Sequence, residues 1–311
     1  MILLALGVDL ASASWADNGS ALVELDRDAA RFVSVVPGAI AWPSSALTPA
    51  ALADAIDAFA RSRGVLAVSL DGPAGWRDPQ TPPEAPGVGR RCEYECRTQG
   101  KTGVYPRTYP STQRAWIEHC IAVFDALLAK PGVSFARERD ALPPPGGYFV
   151  LESFPTSTWR ASGLAPLPGK GKRPALAPYV EALSAAFGLP AFSPATHDDL
   201  QGVVAALAAV AALGGPARAL VHGVPPRSIA SSDGARRVEG LIWDAMPFGR
   251  GSARTAVATT ERASTPSARV TSKVLAEVNR TGSSGSMMIA VHGATSRPAR
   301  MSLRIIDDPS H

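Results

Sequence analysis

The sequence predicts an α/β fold with a mixed sheet, in which three antiparallel strands are followed by parallel strands and helices cover both faces. Alternating apolar runs fill the first 36 residues and are joined by polar turns such as Asp17-Asn18-Gly19, which is typical of an antiparallel meander. Beyond residue 48, segments of helical period alternate with strand-like runs, which indicates parallel strands. With 46% hydrophobic residues in a chain of 311, a full core is available.

Each element follows from its local pattern. The meander predicts strands at 2–10, about 20–26 and about 31–36. Thr48 suits the N-cap of an amphipathic helix that ends near Arg63 and leads to a strand at 65–71. Residues 72–110 are rich in Pro, Gly and Arg and predict a long loop of the kind that serves a site. The remaining predicted elements are a helix at 112–129, a strand at 148–152, helices at 178–187 and 197–213, and short strands at 217–221 and 240–243.

The composition divides the chain into a domain at 1–248 and a basic, low-complexity tail at 249–311. The tail is rich in Gly, Ser, Thr and Arg without clear periodicity, and we expect it to be flexible and largely disordered. A late hairpin between 287–291 and 301–306 is an alternative for part of it. The tail holds nine Arg and Lys against four Asp and Glu, which leaves 22 against 23 in residues 1–249. The alkaline pI of about 9.1 therefore gives no general argument for nucleic-acid binding.

Three scattered cysteines make no disulfide framework, which favours a reducing compartment and, by default, the cytoplasm. Cys92 and Cys96 lack a second pair at zinc spacing, so we expect no structural zinc. The apolar N-terminus lacks a basic region and is interrupted by Asp9, so we interpret it as a strand rather than a secretion signal. The longest later apolar run, 203–213, is shorter than the roughly 20 residues that span a bilayer. No membrane anchor is predicted.

Two aspartates end otherwise apolar strand-like runs: Asp9 ends 2–9 and Asp71 ends 65–71. An unpaired buried carboxylate costs several kcal/mol, so such a residue usually meets a metal, a cation or a ligand. In open α/β sheets the ligand crevice lies at the C-terminal ends of strands. The alternative is that each aspartate caps a turn, since Asp71 precedes Gly72-Pro73.

Six segments, the first two of which contain these aspartates, extend this pattern along the chain. In order they are Gly7-Val8-Asp9-Leu10-Ala11, Asp71-Gly72-Pro73, Arg90-Arg91-Cys92-Glu93-Tyr94-Glu95-Cys96-Arg97, Glu152-Ser153-Phe154-Pro155, His197-Asp198-Asp199-Leu200 and Val238-Glu239-Gly240-Leu241-Ile242. In these motifs and in its order of elements, the chain resembles the domain-of-unknown-function family 429, predicted nucleases of ribonuclease H-like fold. The resemblance covers about residues 2–243.

The resemblance implies a two-metal phosphodiesterase whose carboxylates hold Mg²⁺ or Mn²⁺. The implied metal and catalytic residues are Asp9, Asp71 and one of Asp198 or Asp199. Divalent cations of this kind prefer oxygen ligands and activate water for phosphodiester cleavage. The chain departs from the family where the closing helix has Gln201-Gly202 in place of Asp-Ala, and an amide oxygen coordinates weakly and carries no charge.

Glu152 ends the fifth predicted strand and either assists this site or forms a salt bridge to Arg160 or to the Arg90/Arg91 loop. Basic residues lie in the segments expected to frame the crevice and are candidates for binding substrate phosphates. These residues are Arg90, Arg91, Arg97, Lys170 and Lys172. The alternative is a solvated loop whose charge Glu93 and Glu95 partly neutralise.

Four aromatic residues lie among these charges: Trp76, Tyr94, Tyr105 and Tyr109. They either stack on the bases of a single strand or pin the long loop to the body of the protein. His197 either assists Asp198, by supporting it from behind or as a proton shuttle, or it caps the closing helix or is simply exposed.

Three functions are consistent with this sequence. The first is a metal-dependent nuclease or phosphodiesterase acting on DNA or RNA. The second is a catalytically degenerate protein that keeps the fold and binds nucleic acid or another partner. The third is an actin-like phosphotransferase, suggested by Ser12 and Ser14 after Asp9, although a second glycine-rich phosphate loop is not evident.

Overall fold

A computed structural model describes residues 1–81, 88–231 and 234–248, together with two strands at 256–259 and 302–305. The contacts divide the chain into one unit at 1–248 and a second at 249–311. In the second unit, strands β11 (Ala256–Thr259) and β12 (Ser302–Ile305) pair antiparallel. The second segment of the predicted late hairpin, 301–306, contains β12, and its first segment, 287–291, lies outside the described residues.

The first unit is organised around one mixed sheet with strand order β3-β2-β1-β4-β8-β10-β9, and β7 also pairs with β8. The first three strands are antiparallel, β1, β4 and β8 are parallel to one another, and β10 returns antiparallel to β9. The strands are β1 (Ile2–Asp9), β2 (Gly19–Asp26), β3 (Arg31–Pro37), β4 (Ala67–Asp71), β7 (Val133–Phe135), β8 (Tyr148–Ser153), β9 (Arg218–Ser231) and β10 (Gly234–Met246).

Helices pack on both faces of the sheet. The principal helices are α1 (Pro49–Arg63), α3 (Arg114–Leu128), α4 (Pro155–Ala161), α5 (Ala177–Phe187) and α6 (His197–Ala212). Side chains of α1 and α3 share one core with Leu6 and Val68 of the sheet, while α6 shares the other core with Ala5 and Ala67. Successive strand residues thus point to opposite layers, and the sheet is buried on both sides. The predicted mixed α/β architecture is confirmed at this level.

The ends of α1 show why the sequence predicted this helix well. The Thr48 hydroxyl accepts a hydrogen bond from the Ala51 amide at 3.1 Å, and Pro49 occupies the first turn. Gly64 ends the helix with a φ of 66°, a left-handed conformation that favours glycine.

Three features differ from the sequence prediction. The short strands predicted at 217–221 and 240–243 are parts of the long β9 and β10, which a bulge between Val238 and Gly240 kinks. The loop 72–110 contains the short helix α2 (Arg91–Glu95) and a two-residue ladder of β5 (Lys101–Thr102) with β6 (Thr108–Tyr109). Strand β7 and helix α4 were not predicted, because each is too short to show a period.

Buried acids anchor the described part of this loop. The carboxylate of Glu93 accepts the amide of Thr102 at 2.9 Å, and that of Glu239 accepts the amide of Asp78 at 3.0 Å and the hydroxyl of Thr81 at 3.0 Å. The loop therefore packs as a wall over the ends of β8 and β10. None of the described helices is long and apolar enough to cross a membrane.

Candidate functional site

Asp9 and Asp71 lie side by side at the C-terminal ends of two parallel strands. The pairing of β1 with β4 places the two residues directly opposite each other in register. In a parallel pair, residues opposite each other project to the same side of the sheet. Both carboxyl groups therefore meet where these two strands end. The structure thus brings together the two acids that the sequence singled out.

Burial and mutual repulsion shift both groups away from their ordinary behaviour. Burial, the charge of Asp71 and that of Asp198 hold the pKa of Asp9 well above its usual range. Burial and the charge of Glu152 raise the pKa of Asp71 to about 7. A hydrogen bond joins the two side chains. A site in which carboxylates are this costly to ionise is suited to a cation.

Helix α6 supplies the third acid. Thr196 caps this helix by accepting the Asp199 amide at 3.0 Å, which places Asp198 in the first turn. Ligand atoms of Asp9, His197 and Asp198 all lie within 4.8 Å of one another. Asp9 is therefore the shared member, joined to Asp71 on one side and to the start of α6 on the other.

Glycines allow α6 to approach the sheet this closely. A Cβ atom on Gly7 would lie 2.1 Å from the Gly202 carbonyl oxygen, and one on Gly19 would lie 2.0 Å from the Asp198 backbone. Gly202 itself faces the backbone of Ser20, 2.9 Å from where its Cβ would be. Backbone contact of this kind between helix and strands places Asp198 next to Asp9.

The structure distinguishes between the two acids of this turn. Asp199 accepts the Ser20 amide at 3.3 Å and is not part of the group formed by Asp9, His197 and Asp198. Gln201, where the resembling family has an acid, accepts the indole N–H of Trp159 at 3.1 Å. Its amide oxygen is thus engaged away from Asp9, while Gly202 serves the helix–strand contact.

Two basic groups contact Asp198. The Lys170 ammonium donates to Asp198 Oδ2 at 2.9 Å and to Asp17 Oδ1 at 2.8 Å. His197 Nδ1 lies 3.1 Å from Asp198 Oδ1, and its Nε2 donates to the Pro168 carbonyl at 2.9 Å. Burial alone would raise the pKa of Asp198, but the hydrogen bonds from His197 and Lys170 lower it. His197 thus supports the acid and leaves the capping of α6 to Thr196.

Glu152 forms a salt bridge to the Arg90/Arg91 loop, which was one of the alternatives that the sequence left open. Arg90 donates to its two carboxylate oxygens at 2.8 and 2.6 Å, and the Ala74 amide donates at 2.8 Å. Arg90 also contacts Glu93 and is only 1% exposed. The position of Arg90 does not agree with the predicted phosphate contact, and Glu152 shapes the site by its charge and by holding the loop.

A cleft of about 710 Å³ opens beside Asp71. Its floor includes Asp71, Glu152, Ser153 and Gln201, and four basic side chains of its walls are those of Arg97, Lys101, Arg160 and Lys172. Of the predicted phosphate-binding residues, Arg90, Arg97 and Lys172 line this cleft, and of these three Arg97 and Lys172 are exposed. Lys170 is engaged with Asp17 and Asp198, whereas Arg91 is exposed and pairs with Glu95 at 2.6 Å.

Three of the four aromatic residues have contacts that hold the loop. Trp76 is buried and packs edge-on against Tyr105, with ring centroids 5.0 Å apart, and the Tyr94 hydroxyl accepts the Val88 amide at 2.6 Å. These contacts favour the pinning role over base stacking. Tyr109 is 40% exposed.

Sequence reasoning missed Ser153. It pairs in register with Asp71 across β4 and β8, so it continues the row of Asp9 and Asp71 along the sheet edge. Its hydroxyl is buried without a hydrogen-bond partner and borders the cleft. The signal available was its place next to Glu152 at the end of a strand, but serine at that place has no distinctive chemistry.

Searches for known proteins similar to this chain found no matching family model, no matching curated protein and no matching solved structure.

Proposed function

We propose that the chain is a metal-dependent nuclease or phosphodiesterase of ribonuclease H-like fold, a relative of the family that its motifs resemble. Asp9, Asp71 and Asp198 hold Mg²⁺ or Mn²⁺, and the neighbouring cleft binds nucleic acid. The observation that carries the proposal is the juxtaposition of Asp9 and Asp71 in register, with Asp198 beside Asp9.

The donor set fits such a cation. All three acids offer carboxylate oxygens, the ligands that Mg²⁺ and Mn²⁺ prefer. Burial and the negative charge of neighbouring acids raise the pKa of Asp9 and Asp71, and a divalent ion would offset that charge. When bound, the cation supplies an acidified water and a positive charge for the phosphate oxygens.

The residues of the chain itself account for binding and orientation. Arg97, Lys101, Arg160 and Lys172 line one cleft with Asp71, so a phosphate backbone held by these cations passes next to the acids. Arg90 neutralises Glu152 and leaves Asp71 and Asp9 as the acids available to a cation. His197 orients Asp198 through its Nδ1.

Lys170 supports a second candidate, a protein that binds nucleic acid without cleaving it. Its ammonium already offsets the charge of Asp198, as a cation would, and Gln201 replaces a family acid. In this candidate protons and the Lys170 ammonium, rather than a metal ion, offset the charge of the three acids. Binding of nucleic acid in the cleft is then the whole function. The phosphotransferase alternative gains nothing from the structure, because the Ser14 hydroxyl is engaged with Asp17 at 2.8 Å.

The test is cleavage of labelled single- and double-stranded DNA and RNA with Mn²⁺, by the wild-type chain and by Asp71→Asn and Asp198→Asn. We expect cleavage by the wild type and a loss of at least about 100-fold in each variant, equivalent to roughly 3 kcal/mol of transition-state stabilisation. Binding of Mn²⁺, followed by electron paramagnetic resonance, should weaken in parallel.

Asp199→Asn is the matched control, since it removes a neighbouring carboxylate that faces Ser20. It should retain both cleavage and Mn²⁺ binding. Equal cleavage by all variants would indicate a contaminating nuclease and remove the site assignment. Binding of nucleic acid that needs no cation, without cleavage, would select the second candidate.

A further inference from the structure

A second group of metal-binding side chains lies apart from the three aspartates. Cys96 follows α2, His222 lies on β9 and Asp244 lies on β10. Their ligand atoms all fall within 4.8 Å of one another. Sequence spacing did not reveal this group, because Cys96 precedes His222 and Asp244 by more than a hundred positions and meets them only in the fold.

We propose that Cys96, His222 and Asp244 form a binding site for a zinc-type transition metal ion, which fastens the wall of the cleft to the sheet. This site is independent of the proposed nuclease function and of the ion that the aspartates would bind.

The ligand atoms lie close enough together to be brought onto one ion. His222 Nε2 lies 3.0 Å from Asp244 Oδ2. Two ligand atoms on a tetrahedral zinc ion, with bonds of about 2.0–2.2 Å, are roughly 3.3–3.6 Å apart. Small side-chain movements would therefore place nitrogen, oxygen and sulfur around one ion, with a fourth position for water.

Neighbouring groups already orient these ligands. The Thr158 hydroxyl donates to Asp244 Oδ1 at 3.0 Å, and the Ser157 hydroxyl donates to Oδ2 at 2.5 Å. His222 Nδ1 faces the carboxylate of Glu95 at 4.0 Å. A carboxylate behind the distal ring nitrogen is the arrangement that supports metal-bound histidines in proteins.

The chemistry of the donors separates the two sites. A set of thiolate, imidazole and carboxylate ligands selects zinc and similar ions, whereas an all-carboxylate set suits Mg²⁺ and Mn²⁺. Cys96 is 4% exposed and Asp244 is fully buried, so the candidate site is shielded from solvent.

The position suggests what the ion would hold in place. Cys96 packs with Ile242 and Phe154, both of which line the cleft. The next residue, Arg97, lies on the cleft wall, and Arg160 donates to the carbonyl groups of both Cys96 and Arg97 at 3.0 and 3.2 Å. An ion shared by Cys96, β9 and β10 would therefore fix the segment that carries Arg97 and that accepts the hydrogen bonds of Arg160.

The test is titration of the full chain with Co²⁺, a spectroscopic substitute for zinc. We expect one equivalent to produce the thiolate-to-cobalt charge-transfer band and the intense visible bands of tetrahedral cobalt, and Zn²⁺ to abolish both. Both signals should be lost in Cys96→Ser and unchanged in Cys120→Ser, which removes a buried cysteine outside the cluster. They should also persist in Asp9→Asn, because that site has no thiolate.

The wild-type measurement needs no variant to fold, so it decides the question by itself. Absence of a charge-transfer band in the wild-type chain would overturn the proposal and leave a hydrogen-bonded His222–Asp244 pair. Retention of the band in Cys96→Ser would do the same. Neither result bears on the aspartate site, whose carboxylates give no thiolate band.

Discussion

At the scale of single residues, neighbouring side chains decide what a strand-end acid does. Asp71 ends β4 and Glu152 is the penultimate residue of the adjacent parallel strand β8. Arg90 donates two hydrogen bonds to Glu152, whereas none of the contacts described for Asp71 is with a cation. Asp71 is left beside Asp9, and its pKa rises to about 7 through burial and the charge of Glu152. The unpaired acid is therefore the one available for chemistry.

This shift predicts how pH affects the metal-free protein. The folded state favours the protonated form of Asp71, so protonation of this group stabilises the fold. This contribution to the free energy of unfolding is fully present below about pH 4, where Asp71 is protonated in the unfolded chain too, and it is lost as the pH rises through about 7. Asp71→Asn removes the effect. Its free energy of unfolding relative to the wild type should increase by about 2–4 kcal/mol between acidic and mildly alkaline pH.

Urea denaturation of both proteins across this pH range, in the presence of a chelator, measures that difference. A gap that stays constant with pH would show that Asp71 titrates normally. Adding Mn²⁺ at alkaline pH should restore stability to the wild type more than to the variant, since a cation replaces the lost proton.

Arg90 predicts a large effect from a residue outside the catalytic acids. Arg90→Met leaves Glu152 and Glu93 buried without their cation, and removal of one partner of a buried pair costs about 3–5 kcal/mol. Arg91→Met is the matched control, because Arg91 is exposed and its loss should change the free energy of unfolding by no more than about 0.5 kcal/mol. Equal effects in urea denaturation would contradict the buried ion pair.

At the scale of elements, α6 determines the site through its contact with the sheet. The helix crosses β1 and β2 so closely that Gly7, Gly19 and Gly202 have no room for a side chain. The N-cap at Thr196 fixes where the first turn begins, and the glycine contact fixes how close it comes to Asp9. Together they select Asp198 over Asp199 as the acid that faces the site.

Gly202→Ala tests this contact. Alanine in a helix interior is favoured over glycine by up to about 1 kcal/mol, but here its Cβ would lie 2.9 Å from the Ser20 backbone. Overpacking of this kind costs about 1–3 kcal/mol, so we expect a lower free energy of unfolding and weaker Mn²⁺ binding. Gly171→Ala, where the space is open, should leave both unchanged. A stabilised Gly202→Ala protein would contradict the close approach.

At the scale of the whole molecule, the cleft combines an acidic floor with basic walls. The floor is formed by strand ends of the sheet and by Gln201 of α6, and the walls come from the 72–110 loop, from Arg160 of α4 and from residues between α4 and α5. Negative charge at the bottom suits a cation, and positive charge at the sides suits a polyanion. Neither the acidic floor nor the basic walls would suffice alone, because the floor repels the phosphates that the walls attract.

Lys172 offers a test of this arrangement with nucleic acid. Lys172→Ala should weaken binding of single-stranded nucleic acid and reduce the slope of log affinity against log salt by about 0.7, the value for one lost phosphate contact. Fluorescence anisotropy over a series of salt concentrations gives both quantities. Arg91→Met, outside the cleft lining, should keep the wild-type slope. A slope unchanged by Lys172→Ala would mean that phosphates do not pass through the cleft.

Local patterns were sufficient for the elements with a clear period or cap. The helix from Pro49 to Arg63, the meander and the strands ending at Asp9 and Asp71 follow from spacing, Thr48 and Gly64, since those signals act over a few residues. Short elements such as α4 were missed because seven residues are too few to show a period. The length of β9 and β10 was underestimated because their pairing, rather than their own apolar content, extends them.

The sequence by itself determined the mixed α/β class, the order of the elements and the two acids at the strand ends. Only the tertiary structure decided which residues share a site: Asp198 but not Asp199, Ser153 beside Asp71, and Arg90 with Glu152. It alone brought Cys96 to His222 and Asp244. The reason is physical: a side chain's partners are set by register, helix approach and burial, which join positions far apart in the chain and leave no local trace in the sequence.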